Sequence, residues 1–203
     1  MFTRLATLAT LIVGTFALSA CGINSVPTKE EAAKAQWANV EAALQRRSDV
    51  IPNLVATVEA AAVSEEDILV GVTDARSRAT SINITTDDLS NPEEFQRFNE
   101  AQNQLTQALG QLRTVVEAYP QLQSNQRFAD LMVEIEQANN MINTEINRYN
   151  DTARDYNTEI RTFPSTIAAN IIHGSEPLEY FEAAEGADEN PEVEFGNITG
   201  DDA

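Results

Sequence analysis

Residues 124–164 read SNQRFADLMVEIEQANNMINTEINRYNDTARDYNTEIRTFP. Within this run apolar side chains recur at Phe128, Leu131, Met132, Ile135, Ala138, Ile142, Ile146, Tyr149, Tyr156 and Ile160. Spacings of three, four and seven place them on one face of an α-helix. Ser124 or Asn125 supplies the N-cap, and Phe163-Pro164 breaks the pattern after about 37 residues, roughly 55 Å at about 1.5 Å per residue. A stripe that long is stable only against other helices, so the fold class is set by what else the chain offers.

It offers more of the same. Working backwards, Asn91-Pro92-Glu93-Glu94 is an N-cap, a proline at the first helical position and two acids at the positive end of the helix dipole. The stripe that follows is Phe95, Phe98, Leu105, Leu109, Leu112, Val116 and Tyr119, stopped by Pro120. Residues 80–91 read as a loop. Before it, Thr28 with Glu31 reads as a capping box, followed by Trp37, Val40, Leu44, Ile51, Leu54, Val55, Val58 and Ala62. Pro52 sits inside that pattern and predicts a kink or brief break, with Asn53 capping the restarted helix. Ser64 with Glu65, Glu66 and Asp67 reads as either a second N-cap or a solvated turn of a continuing helix, and Ile68, Val72, Ala75 and Ala79 favour continuation to about residue 80. Ser165 to His173 reads as a short apolar helix ending at Gly174, with His173 as a cation on the negative end of the dipole. The expectation is an all-α, elongated antiparallel bundle of three long helices plus a short C-terminal helix, over residues 28–182. A free coiled coil is the rival arrangement.

The ends of the chain read differently. Arg4, the apolar run Leu5 to Leu18 and Leu18-Ser19-Ala20-Cys21 make a lipoprotein signal over residues 1–20, with Cys21 as the acylated N terminus of the mature chain and residues 21–27 as a tether. Gly22 after the cysteine points to the outer membrane, facing the periplasm, in a diderm source. At the other end Glu176, Glu179, Glu182, Glu185, Asp188, Glu189, Glu192, Glu194, Asp201 and Asp202 have no basic residue among them, and residues 183–203 read as a disordered acidic tail.

The 203 residues carry 13 basic and 32 acidic side chains, a formal charge of -19, which repels phosphate backbones and excludes nucleic acid as a partner. One cysteine and one histidine remove most metal and acid/base constellations. Glu134, Glu136 and Glu145 lie on one helix, but no Glu-x-x-His pair accompanies them. No catalytic, metal or cofactor site is expected. Arg47 falls on the apolar seam between Leu44 and Ile51 and requires a carboxylate or carbonyl partner, with Asp49, Glu134 or Glu145 in reach. Tyr149, Tyr156, Phe95 and Phe98 read as core.

Several strings occur in a fixed order: Gln45-Arg46-Arg47-Ser48-Asp49-Val50-Ile51-Pro52-Asn53-Leu54-Val55, then Thr73-Asp74-Ala75-Arg76-Ser77, then Ala118-Tyr119-Pro120-Gln121-Leu122, then Tyr149-Asn150 and Tyr156-Asn157, then Phe163-Pro164. Together, over about residues 35–182, they resemble the LemA family. The resemblance implies a helical bundle with its N terminus at the membrane and most of the chain outside the cytoplasm, in a lipoprotein form where relatives usually start with a transmembrane helix. It implies no assigned enzymatic activity, and an accessory role in the envelope next to a protein partner, such as a membrane protease. Arg46, Arg47, Asp49, Pro52, Asn53, Tyr149, Asn150, Tyr156 and Asn157 are then structural or partner contacts. The chain departs from the pattern at Ala138-Asn139-Asn140-Met141, where relatives tend to show Thr-Glu-Asn-Arg, and only Asn140 is retained. The function expected is a non-enzymatic, lipid-anchored interaction module. The alternatives are a structural component acting on membrane or cell wall directly, and a carboxylate-dependent enzyme.

Overall fold

The computed structural model describes residues 23–61, 66–116 and 118–181. The signal, Cys21 and the acidic tail lie outside the described residues. Among those described there are helices, turns and extended segments but no strand. Helix α1 spans Ser25–Ala60, α2 Glu66–Ser81, α3 Pro92–Val116, α4 Pro120–Gln123, α5 Gln126–Arg161 and α6 Ser165–Ala168. A 3-10 turn at Asp88–Ser90 precedes α3, and a π turn at Ala169–His173 follows α6.

Helix α5 forms on the stripe that the sequence shows. Asn125 is its cap, with Oδ1 accepting from the backbone N–H of Arg127 at 3.0 Å and of Phe128 at 3.3 Å. Asn91 does the same for α3, accepting from Glu93 and Glu94. Helix α1 lies antiparallel on α5: Ser25 reaches Glu159, Gln36 reaches Glu145 and Arg47 reaches Asn139.

Three expectations are corrected. The first long helix does not continue to residue 80. It ends at Ala60, and α2 folds back so that Arg76 meets Ser48 while Gln102 of α3 donates to the Ala79 carbonyl. The apolar residues Leu69, Val72, Ala75 and Ala79 are thereby buried against α1 and α3 in one cluster with Leu54, Val58, Leu105 and Leu112. Burying four residues against two neighbours removes more apolar surface than extending them in line would. Helix α1 also starts a turn earlier than Thr28. Pro27 is tolerated in the first turn, Val26 is fully buried, and Thr28 Oγ1 donates to the Asn24 carbonyl at 2.6 Å instead of capping. The tether expected over residues 21–27 therefore gives way to helix at Ser25.

The third correction concerns Pro52. The helix runs through it unbroken, so Asn53 caps nothing and is an exposed mid-helix residue whose carbonyl accepts from Thr57 Oγ1. Pro52 has no N–H for the Ser48 carbonyl, and Arg76 Nε donates to that carbonyl at 2.9 Å. The two strings that held Pro52 and Arg76 in the sequence thus meet at one orphaned oxygen.

The core is in two parts. One cluster, toward the α1–α2 connection, holds Ile51, Leu54, Val58, Leu105, Leu112, Leu122 and Phe128. The other, toward the N terminus of α1, holds Val26, Trp37, Val40, Leu89, Phe95, Phe98, Tyr149 and Tyr156. Arg47 lies between them.

Candidate functional site: a polar layer and an amide-lined groove

Arg47 is 4% exposed. Its partners are not the expected carboxylates. Nη1 donates to Thr106 Oγ1 at 3.0 Å and to Asn139 Oδ1 at 3.2 Å, and Nη2 donates to Gln102 Oε1 at 2.7 Å. Asp49 is instead exposed and accepts from Gln45, while Glu145 accepts from Gln36 and Arg148. Three of the five guanidinium N–H groups are used, all by neutral oxygens, and the buried Nε–H has no partner among the described residues. Burial without a counter-charge pulls the guanidinium down to about 10, still charged at neutral pH.

The layer opens into a groove of about 650 Å³ between α3 and α5. Its walls are rich in side-chain amides, with Asn99, Gln102 and Asn103 from α3 facing Asn139, Asn143, Asn147 and Asn150 from α5, and Phe181 closing one end. Arg46, next in sequence, is exposed, with Nη1 3.5 Å from Met141 Sδ.

The two Tyr-Asn pairs face the other core cluster and hold the last described segment. After the π turn, Gly174 takes φ +58, a left-handed conformation that suits glycine at a helix end. The chain then runs extended along α5. Asn157 Oδ1 accepts from Leu178 N–H and Nδ2 donates to the Leu178 carbonyl, both at 2.8 Å, and Nδ2 also donates to Tyr180 Oη. Seven residues earlier, Asn150 makes the same two-bond clamp on Phe181, with both bonds at 3.0 Å. Tyr149 Oη donates to the Glu179 carbonyl, and Glu179 N–H donates to Leu89. Burial, with Glu179 and Tyr180 adding to it, holds the Tyr149 phenol above its ordinary value.

The clamps seat Phe181 over Trp37, with ring centroids 5.6 Å apart and planes 20° apart. Phe95, Phe98 and Tyr149 complete the cage around Trp37 at 5.3–5.7 Å. Tyr156 is buried beside them. Sequence reasoning missed Gln102, Thr106, Asn139, Arg76, Leu178 and Phe181. The available signal was the helix-interior proline, whose orphaned carbonyl requires a donor from elsewhere.

At the tip formed by the end of α5, α6 and the π turn, four large apolar side chains are exposed: Phe163 at 76%, Ile171 at 79%, and Ile167 and Ile172 at more than half. His173 Nε2 lies 3.0 Å from the Ile23 carbonyl oxygen, so this knob sits beside the first described residue of the chain. Glu159 ties the two parts, accepting from Ser25 and Ser165 and pairing with Lys29 at 3.6 Å. Those hydroxyl bonds hold its carboxyl below the usual range. No helix among the described residues is long and apolar enough to cross a membrane, and no cluster of three metal-ligating side chains occurs among them.

Two curated relatives, magnetosome proteins MamQ 2 and MamQ 1 of Paramagnetospirillum magneticum strain AMB-1, are each 27% identical over 181 residues, which is 81% of this chain. The match covers 66% of the relatives' own length. The LemA family model matches residues 36–195, the stretch that includes the Arg47 layer, the Pro52–Arg76 contact and the two asparagine clamps. The chain belongs to the LemA family.

Proposed function

We propose that this protein is a lipid-anchored, non-enzymatic interaction module of the cell envelope, an elongated helical body held at the membrane by acylated Cys21 and presenting its long faces to an envelope protein. The observation that carries the reading is the apolar knob. Phe163, Ile167, Ile171 and Ile172 project beside Ile23, two residues from the lipobox cysteine. Large apolar side chains on a surface mark a contact with lipid or protein, and an acyl anchor two residues before Ile23 would bring them to the bilayer surface. Family membership supports an envelope association. The strongly negative charge favours the knob, and not electrostatics, as the second membrane contact.

Metabolic labelling with an alkyne palmitate tests the anchor. Label is expected on the chain and absent from Cys21→Ser, and label retained by that variant overturns the lipoprotein reading. Flotation on zwitterionic vesicles tests the knob, with the paired substitution of Ile171 and Ile172 by Asp expected to abolish residual binding of the Cys21→Ser chain. Crosslinking in whole cells tests the interaction role. A reproducible protein adduct is expected, and a chain that stays monomeric with crosslinkers of several lengths refutes it.

A further inference from the structure

The asparagine clamps define a register that does not stop at the last described residue. Asn157 holds Leu178 and Asn150 holds Phe181, so seven residues of helix match three residues of strap. Seven helical residues advance about 10.5 Å and three extended residues about 10 Å, so the two runs stay in step. The strap travels toward the N terminus of α5. The next asparagine on that face is Asn143, and the next strap position is Ala184.

The groove lies where this extrapolation leads. Phe181 forms one end of it, Asn143 and Asn147 line it, and their side-chain amides make no hydrogen bond among the described residues. One helical turn beyond Asn143 is Asn139, which accepts from Arg47. The guanidinium there is charged, buried and met only by neutral oxygens, with one N–H of Nη2 left over. Such a charge gains most from a carboxylate. The sequence after Glu182 is Ala183-Ala184-Glu185-Gly186-Ala187-Asp188, in which Glu185 directly follows Ala184 and stands among small residues, with Asp188 at the end.

We infer that the groove between α3 and α5 is a binding site for an extended acidic peptide, and that its occupant is the chain's own segment from Ala183 to Asp188, clamped at Ala184 by Asn143 and bringing the Glu185 carboxylate to Arg47. The small side chains at 183, 184, 186 and 187 allow the backbone to lie against the amide walls. The inference is independent of the anchor and of any envelope partner.

The test uses the full mature chain with Cys21→Ser, which removes the only native cysteine. Cysteines are placed at Asn103, on the facing wall of the groove, and at Ala187, and a short bis-maleimide is added. The N103C/A187C pair is expected to close intramolecularly about ten-fold faster than the same pair carrying Glu185→Gln, because an undocked tether of the same length meets the site only at the effective concentration of a flexible linker. Arg47→Met is expected to slow the pair to the same extent. Should Arg47→Met fail to fold, Glu185→Gln decides alone, since it touches none of the described packing. A rate unchanged by Glu185→Gln overturns the inference. Crosslinked dimers that form in place of the internal link assign the groove to a second copy's tail and overturn the intramolecular occupant.

Discussion

Pro52 and Arg76 invite a double-mutant cycle. Arg76 Nε donates to the one carbonyl, that of Ser48, which Pro52 leaves without its helical N–H. Arg76→Met keeps the aliphatic stem against α1 and removes the donor. A part-buried carbonyl left unpaired costs about 1–3 kcal/mol, and a bond from a charged donor lies in the same range. Because Arg76 is only half-buried, the lower part of that range applies, about 1–2 kcal/mol. In a Pro52→Ala background the alanine N–H bonds Ser48 within the helix, and the same Arg76→Met change is expected to fall within the roughly 0.5 kcal/mol of a surface substitution. The coupling energy between positions 52 and 76 is then about 0.5–2 kcal/mol, measured by urea unfolding of the four proteins with Trp37 fluorescence as the probe. If Arg76→Met costs the same in both backgrounds, the arginine holds α2 by packing and the orphaned-carbonyl argument fails.

Trp37 is 1% exposed inside a cage of four aromatic rings, so Trp37→Ala is expected to cost about 3–5 kcal/mol in chemical unfolding. A native emission maximum that is red-shifted and readily quenched by acrylamide would contradict the cage. Asn157→Asp keeps the acceptor for Leu178 N–H but sets a carboxylate oxygen against the Leu178 carbonyl. Its carboxyl is expected to titrate above the usual range, so the variant's deficit relative to the parent shrinks as pH falls below that raised value. Amide exchange at Leu178 checks this. The Tyr149 phenol is held above its ordinary value of 10.0, so its contribution is fully present below pH 10 and declines as pH rises toward the folded value. Tyr149→Phe is expected to lower stability at neutral pH and to flatten the loss above pH 10, as read by thermal melts across pH.

What was legible in the sequence is what local chemistry decides. Asn91 and Asn125 are caps because their short amides reach their own helix's N–H groups, and the stripes of α3 and α5 are buried as their spacing requires. The turn between α1 and α2 was not legible, since Ile68, Val72, Ala75 and Ala79 show the same period whether they extend α1 or fold back on it. Arg47 was legible as a seam residue, but its acceptors were not. Carboxylates announce themselves by charge, whereas Gln102, Thr106 and Asn139 look like any polar helix surface until α3 and α5 are brought together. The Tyr-Asn pairs stood out as a motif, yet their partners are backbone groups 21–31 residues further on, which side-chain identity does not specify.

The polar layer also bears on alignment. Helices α1 and α5 are each 36 residues long and pack antiparallel, a geometry in which apolar stripes tolerate slippage by a heptad. A slip of α1 by seven residues would carry the Arg47 guanidinium to the place of Val40 or Leu54, both fully buried among apolar side chains. An unpaired charge there costs several kcal/mol, more than apolar repacking regains. In register, the same guanidinium finds three oxygens at 2.7–3.2 Å. The layer therefore discriminates between registers through what it would lose, even though an all-apolar seam of similar shape would be no less stable. Placing the one buried cation among the described residues between the two clusters leaves each end free to carry its own device: the Pro52–Arg76 brace away from the N terminus of α1, and the clamped strap beside it. Loosening the brace should consequently lower the amide protection of Leu178 and Phe181 by no more than the global loss of stability, because the register between the two ends is held at Arg47.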